Sequence, residues 1–570
     1  MPRSRLMMRV RAALAHGVDG RRAPREVPLD ALPMSRRRFI EGSLATLSTL
    51  AVGPTLAGCS GRSTLPRGGT PRVVVVGAGM AGLHCALQLE ALGLSPQVFE
   101  ASRRVGGRMH SLRGHFANGQ VCELGGELID TGDRVMHALA AEFDIALDDR
   151  TEAARGLREA ETWYFEGRHV PSEEVFERFR PTAQFIASEM QGIEEEENAD
   201  RFARLNNMPL SEWLATNVED TLVRALLDAA YEAEYGLECS NQSALNLHYL
   251  IDYENQEHFR IFGDSDERFH THAGNDTFIE AIHSRLSGTV ALGHVLTAVE
   301  EHADGTFTAH FDQGGTPVSV ACDHLVLAIP LTTARNVDFQ LEMPEWKARL
   351  IREIGYGTCS KIMLGYEQRV WRTQHSAMGS STSELQFGQT WETSVGQAGD
   401  NGILTVYAGG APGLRNIEGE THERARAIVQ QIDTIYPGTA AVYTADSAVR
   451  MAWPTMPYAL GAFVCYQPGQ YDFYGLEGKR VRNMHFAGEH ASTEKQGFME
   501  GAAESGALVA CEIARDLGLA LTPLAERILG ERLTIPQPAY FAESMVGLRK
   551  HDVRRVARAV RAQRALRVAG

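Results

Sequence analysis

The chain has no CxxC pair and no Cys/His cluster at a spacing that suggests zinc, so the zinc-ribbon and zinc-finger classes are excluded and no metal centre is expected. Its eight cysteines (Cys59, Cys85, Cys122, Cys239, Cys322, Cys359, Cys465, Cys511) are scattered singly. At 570 residues the chain needs no disulfide framework, and buried free thiols are the expectation. Internal repeats are absent. So is any uninterrupted apolar run of the roughly 20 residues that a membrane-spanning helix requires. Positive charge is scarce: 56 Lys and Arg stand against 72 Asp and Glu, a net charge of −16. That balance argues against nucleic acid as a partner. The basic residues that exist crowd the ends, in residues 1–38 and again from Leu548 to Gly570. Between them, a chain that is 44% hydrophobic is long enough for more than one domain.

The N-terminal region has its own logic. Ser35–Cys59 reads SRRRFIEGSLATLSTLAVGPTLAGC, with Arg36-Arg37 ahead of Phe39 and a weakly apolar stretch of about 15 residues after it. Gly53-Pro54 interrupt that stretch. The segment resembles a twin-arginine export signal, an address read by a receptor. Its end, Leu56-Ala57-Gly58-Cys59, resembles a lipobox, in which the cysteine is lipidated and becomes the first mature residue; cleavage near Ala57 is the alternative. Ser60–Gly69 is a Gly/Ser/Pro tether. The expectation is a protein handed to the twin-arginine machinery and exported, either periplasmic or anchored by lipid on the outer side of the cytoplasmic membrane.

Val73–Gly82 reads VVVVGAGMAG. A β-branched run predicts a strand buried on both faces, and GxGxxG predicts a tight turn into a helix. Gly77 makes the turn, Gly79 admits a pyrophosphate and Gly82 lets the helix pack on the strand. Leu83–Leu92 continues as helix and Gly93 stops it. Gln97–Glu100 is a second strand whose terminal acid, about 20 residues past the turn, can accept from ribose hydroxyls. These features predict a Rossmann-type dinucleotide site without choosing between NAD and FAD.

The residues that follow are more specific. Arg104-Val105-Gly106-Gly107-Arg108 and Ser111 give R-x-G-G-R-x-x-S, and Cys122–Glu127 reads CELGGE. Near the other end stand His485–His490 (HFAGEH) and Gly497–Gly506 (GFMEGAAESG). Together these motifs resemble the flavoprotein amine oxidase superfamily of monoamine, polyamine and L-amino-acid oxidases. The resemblance implies an α/β fold, a Rossmann-like FAD-binding domain with a discontinuous α+β substrate-binding domain. It assigns cofactor contacts to Gly77, Ala78, Gly79, Met80, Ala81 and Gly82, to Glu100, Ala101 and Arg103, to Gly107 and Arg108, to Gly125, Gly126 and Glu127, to Leu296, to Gly488 and Glu489, and to Phe498 and Met499. Arg108 would neutralise pyrophosphate charge, and the helix starting at Met499 would face the flavin with its positive end. The cysteine that carries flavin covalently in some relatives corresponds to Ala462, so FAD is expected to be non-covalent.

The same resemblance places Lys361, in TCSKIMLGY, where relatives hold a water near flavin N5, and Trp453 beside the flavin ring. Where many relatives carry two tyrosines flanking the substrate nitrogen, this chain has Phe463 and Phe498. The reaction implied is hydride transfer from a neutral amine to flavin, hydrolysis of the imine to a carbonyl, and reduction of O2 to hydrogen peroxide. The arginine that grips the carboxylate in L-amino-acid oxidases falls on Gly132 by direct count, with Arg134 two residues on; an amine is favoured and an L-amino acid stays open. A desaturase or porphyrinogen-type oxidase and a non-catalytic flavin protein are further alternatives. The domain division expected is a leader over 1–59, a tether over 60–70, FAD-binding segments at 71–126, about 270–335 and about 450–520, substrate segments at about 127–269 and about 336–449, and a C-terminal extension over 521–570 with a basic tail.

Overall fold

The computed structural model describes residues 71–533 other than 159, 195–198, 254–259 and 264. The export signal, Cys59, the tether and the basic tail lie outside the described residues.

β1 (Val73–Val76) is buried at every position and runs into α1 (Met80–Ala91), which leads to β2 (Gln97–Glu100). The chain then builds a helical layer that includes α2 (Thr221–Tyr235), and returns as β3 (Ala291–Leu292) and β4 (His324–Leu327). β5 (Ser360–Tyr366), β6 (Gln389–Glu392) and β7 (Gly402–Ala408) belong to a second sheet. Finally β8 (Met484–Phe486) and α3 (Met499–Asp516) come back to the first. The first sheet is entirely parallel, in the order β8-β4-β1-β2-β3.

Strand alternation sorts the core. Val73 and Val75 pack against α1 and α3, while Val74 and Val76 face a four-stranded sheet through Phe99 and Phe311, whose rings stack 4.5 Å apart. A continuous apolar run is what a strand covered on both faces needs. α1 is buried nearly all round, and it crosses α3 so closely that a side chain on Gly506 would sit 2.2 Å from the Ala81 carbonyl.

The second sheet has seven strands, with β5 between Val449–Ala452 and β7. Ile362 and Leu364 turn toward the helix Thr421–Ile435. The alternate residues Cys359, Lys361 and Met363 are therefore directed to the opposite face, toward the first sheet. Asp220 caps α2 through the Val223 amide at 3.0 Å, and Gly236 (φ 74°) ends it against Cys359. Among the described residues no helix is long and apolar enough to cross a membrane, and the seven described cysteines are free and buried.

Candidate active site

A cavity of about 530 Å³ runs from the carboxyl end of β1 to the face of β5, the end of a parallel sheet where ligands enter α/β folds. Gly77 has φ +102°, and a side chain there would meet the Ala328 carbonyl at 2.4 Å. Gly79 caps α1 without any side-chain bond, so the first-turn amides of the helix stay open to a ligand. Glu100 is buried; its Oε2 accepts from the Ala78 amide and its Oε1 from the Ser102 amide, both at 2.8 Å. Each oxygen keeps lone pairs for a ribose.

Several expected cofactor contacts sit elsewhere. Gly77, Gly79, Met80, Ala81, Glu100, Ala101, Gly107, Arg108, Gly125, Gly126, Glu127, Leu296, Gly488, Glu489, Phe498 and Met499 all line the cavity. Ala78 and Gly82 do not. Ala78 contributes its amide to Glu100, and Gly82 is pressed under the turn, where a Cβ would lie 1.9 Å from the Gly77 carbonyl. Arg103 is exposed and off the cavity; its neighbour Arg104 lines it instead, spending its guanidinium on the carbonyls of Val105 and Gly107. Both arginines sit in a bend with no regular side-chain period, so a one-residue difference decides which turns inward.

Arg108 pairs with Glu489 at 2.9 Å and donates to the Ala462 carbonyl at 2.6 Å. Glu489 also accepts from the Gly497 amide at 3.0 Å. Thus the Gly-Gly-Arg turn near the N-terminus is locked to the motif near the C-terminus. Gly125 closes the wall: a side chain there would meet the Arg108 carbonyl at 1.8 Å and Trp453 at 3.1 Å.

Lys361 is an interior residue of its sheet, 4% exposed. Its ammonium donates to Glu127 Oε2 at 2.8 Å, to the Gly125 carbonyl at 2.8 Å and to the Glu123 carbonyl at 3.3 Å. All three N–H groups are therefore engaged by protein. Burial alone would raise Glu127, but the Lys361 ammonium and the Thr393 hydroxyl outweigh it and hold the carboxyl below its ordinary range. Across the strands Lys361 pairs with Tyr407, and Tyr407 with Gln389. The three form one row on the cavity floor, and the Lys361 ammonium lies 5.2 Å from the Trp391 ring centre.

Trp453 is buried and donates to the Leu124 carbonyl at 3.0 Å. Phe463 and Phe498 are both half-buried on the cavity wall, and Gly497 abuts the Phe463 ring. Phe498 precedes α3 without a side-chain cap, so the open end of that helix meets the cavity at Met499. Tyr235, Tyr466, Tyr471 and Tyr474 extend the aromatic wall.

Two carboxylates in the cavity have no counterpart in the sequence reading. Glu234, in the last turn of α2, and Glu267 both line it, and neither carboxylate has a hydrogen-bond or ion-pair partner among the described residues. Burial, reinforced by Glu267, raises Glu234 to about 8. Burial raises Glu267 to about 7 against the opposing charge of Arg150. Glu267 holds φ +46°, rare for a residue with a side chain and costly without support. Support comes from Asp130, which accepts from its amide at 2.9 Å, and from Arg150, which donates to its carbonyl at 2.9 Å. Asp130 in turn pairs with Lys495 at 2.6 Å, tying this turn to the loop that carries Phe498.

A family model described as flavin containing amine oxidoreductase matches residues 80–514. The chain belongs to this family. The flavin amine oxidoreductase is 24% identical over 467 residues to the L-amino-acid oxidase of Pseudechis australis, covering 79% of this chain and 87% of that one. It is 27% identical over 466 residues to AofH of Mycobacterium tuberculosis, which carries the name of a flavin-containing monoamine oxidase, covering 78% of this chain and 97% of that one. A solved structure of putrescine oxidase bound to putrescine superposes with a TM-score of 0.67 at 18% identity, over 78% of this chain and 99% of that one. The flavin amine oxidoreductase is thus an FAD-dependent amine oxidase with the α/β fold described above. Its cavity fits that cofactor: a glycine-lined groove below an open helix end for the pyrophosphate, a buried carboxylate for the ribose, and continuous space from there to Lys361.

Proposed function

We propose that the substrate is a primary amine carrying a second positive charge, rather than an L-amino acid. The observation that carries this reading is the pair Glu234 and Glu267, two carboxylates on the cavity wall with no hydrogen-bond or ion-pair partner among the described residues, where the other charged groups Arg108, Glu489, Lys361 and Glu127 are paired with one another. Both side chains are half-buried at the edge of the cavity, and an ammonium ligand that displaces water there would give them an opposite charge to pair with. An amino-acid carboxylate would face two carboxyl groups, whose ionisation it would oppose, and no uncommitted basic side chain. The basic side chains on the wall are already committed: Arg104 to carbonyls, Arg108 to Glu489 and Lys361 to Glu127. Arg134 is exposed and off the cavity, and Arg150 stands behind Glu267. Putrescine, the ligand of the solved neighbour, belongs to the proposed class.

When bound, FAD supplies the redox chemistry, taking a hydride equivalent from the amine-bearing carbon and passing the electrons to O2 as hydrogen peroxide. The chain's own part is binding and orientation. Gly77, Gly79 and the first amides of α1 at Met80 and Ala81 would hold the pyrophosphate, Glu100 the ribose, and Arg108 with Glu489 the middle of the cofactor. Phe463 and Phe498 would form a desolvated slot that favours the neutral amine over the ammonium. Glu234 and Glu267 would hold the distal ammonium. Lys361 and Glu127 keep a paired charge at the cavity floor; a water there would accept from Lys361 only by replacing its longest bond, to Glu123. Steady-state peroxide formation with putrescine, n-butylamine and a panel of L-amino acids tests the reading. Putrescine should be turned over with the highest kcat/KM; turnover confined to L-amino acids would refute it.

Two further points belong to the same proposal. FAD is held non-covalently, because Ala462 stands where a linking cysteine would be; acid precipitation should release the yellow colour to the supernatant. The protein is exported folded by the twin-arginine route and anchored at Cys59, a reading supported by Arg36, Arg37, Phe39 and the Leu56–Cys59 box. Arg36→Lys with Arg37→Lys should strand it in the cytoplasm, and Cys59→Ala should release it from the membrane fraction.

A further inference from the structure

The opposite end of the parallel sheet carries a second grouping. β4 begins at His324 and β8 has His485 at its centre; the two strands are paired neighbours at the sheet edge. Both imidazoles are buried, with His324 Nδ1 3.2 Å from His485 Nε2. Asp516, the last residue of α3, reaches the same point: one ligand atom from each of His324, His485 and Asp516 lies within 4.8 Å of the other two. One helical turn earlier, Glu512 Oε2 is 2.9 Å from His485 Nδ1.

These side chains are near enough for a modest shift of the Asp516 side chain to bring them onto one ion. Glu512 accepts the Nδ1 proton of His485 and so leaves its Nε2 lone pair facing His324 Nδ1, the carboxylate–histidine arrangement that orients metal ligands. Two imidazole nitrogens at bonding distances of about 2.0–2.1 Å from one tetrahedral ion stand about 3.3 Å apart, close to the separation seen. The site also lies at the carboxyl end of an 18-residue helix, where the backbone dipole favours a cation.

We propose that His324, His485 and Asp516 bind a divalent d-block cation of the zinc class, with Glu512 as the outer partner of His485 and the remaining position open to water. Nitrogen and carboxylate ligands in this number suit zinc, cobalt(II) and nickel(II), and not magnesium or calcium. Arg480 is the competitor, since it contacts both oxygens of Asp516. The ion would share that carboxylate with the guanidinium. Its role is mechanical rather than catalytic. It fastens the far end of α3, about 26 Å along the helix from Met499 in the cavity.

The test uses the untagged, FAD-loaded protein, stripped with a chelator and checked for retained flavin. Isothermal titration with zinc chloride should give one ion per chain, and cobalt(II) should develop visible bands beyond the flavin absorption. Asp516→Asn and His485→Gln should each weaken binding at least tenfold, and Glu512→Gln should weaken it about 10- to 100-fold. Arg480→Gln removes the competing cation and should tighten it. Zinc should raise the melting temperature of the wild type but not of Asp516→Asn. Because His485 is buried and its variant can fail to fold, the partly exposed Asp516 and Arg480 variants decide alone. Uptake well below one ion per chain, or uptake unchanged in Asp516→Asn and Arg480→Gln, would overturn the proposal.

Discussion

Replacing Glu234 by Gln separates a recognition carboxylate from a passive one. In the free protein burial holds Glu234 at about 8 and Glu267 at about 7. At pH 7 a group titrating at about 8 is ionised in about one molecule in eleven, and at pH 9 in about ten of eleven. A cationic substrate that requires the ionised form should therefore bind about tenfold more tightly at pH 9 than at pH 7. With Glu267 titrating as a partner the change reaches about 10- to 20-fold. The reacting nitrogen must also be neutral, which favours high pH for every amine. That shared dependence cancels in the ratio of kcat/KM for putrescine to kcat/KM for n-butylamine, which differ at the distal end. The ratio should rise about tenfold or more from pH 7 to pH 9 in the wild type. In Glu234→Gln it should be flatter and lower by roughly 10- to 100-fold, the loss of one charge-assisted bond. Peroxide-coupled initial rates give the ratio, and anaerobic flavin bleaching gives the binding constants directly. A ratio that stays flat with pH in the wild type, or is unaltered by the substitution, would refute the argument that Glu234 reads a distal ammonium.

Other expectations follow from the same contacts. Glu234→Gln should also stabilise the unliganded protein, because a carboxyl with a raised pKa binds more protons folded than unfolded; its destabilising effect sets in above the ordinary carboxylate range, near pH 4.5, and is complete above about pH 8. Thermal melts at pH 5 and pH 8.5 should show the variant's advantage only at the higher pH. Lys361→Met strands Glu127 as a buried charge and should cost about 3–5 kcal/mol; adding Glu127→Gln should recover most of it in urea unfolding. Gly125→Ala forces a side chain into the Arg108 carbonyl and Trp453, and should give protein that purifies with much less than one flavin per chain. Glu100→Ala removes the acceptor shared by the Ala78 and Ser102 amides, and should weaken FAD retention on gel filtration without changing the visible spectrum of what remains bound.

The first β-α-β unit was legible because its signals are local. A run of valines, a glycine turn and an acid at the end of β2 each impose a backbone state within a few residues. Lys361 was visible only through resemblance, and its partner Glu127 was assigned to the cofactor, since nothing in the spacing of two residues 234 positions apart indicates an ion pair. Glu234 and Glu267 were not visible at all. One occupies an ordinary place on an amphipathic helix, and the other a turn whose conformation depends on Asp130 and Arg150 from distant segments. Arg103 and Arg104 show the same limit at one-residue scale: in a bend no periodicity tells which side chain faces inward.

The Arg108–Glu489 pair joins residues 381 positions apart, and β8 and α3 come from the end of the described chain while β1 comes from its start. The consequence is one of timing. A ribosome making this protein has to deliver nearly the whole chain before the cofactor groove has its second wall. The emerging N-terminal unit alone offers only one wall of the groove. Loading becomes a checkpoint on complete synthesis.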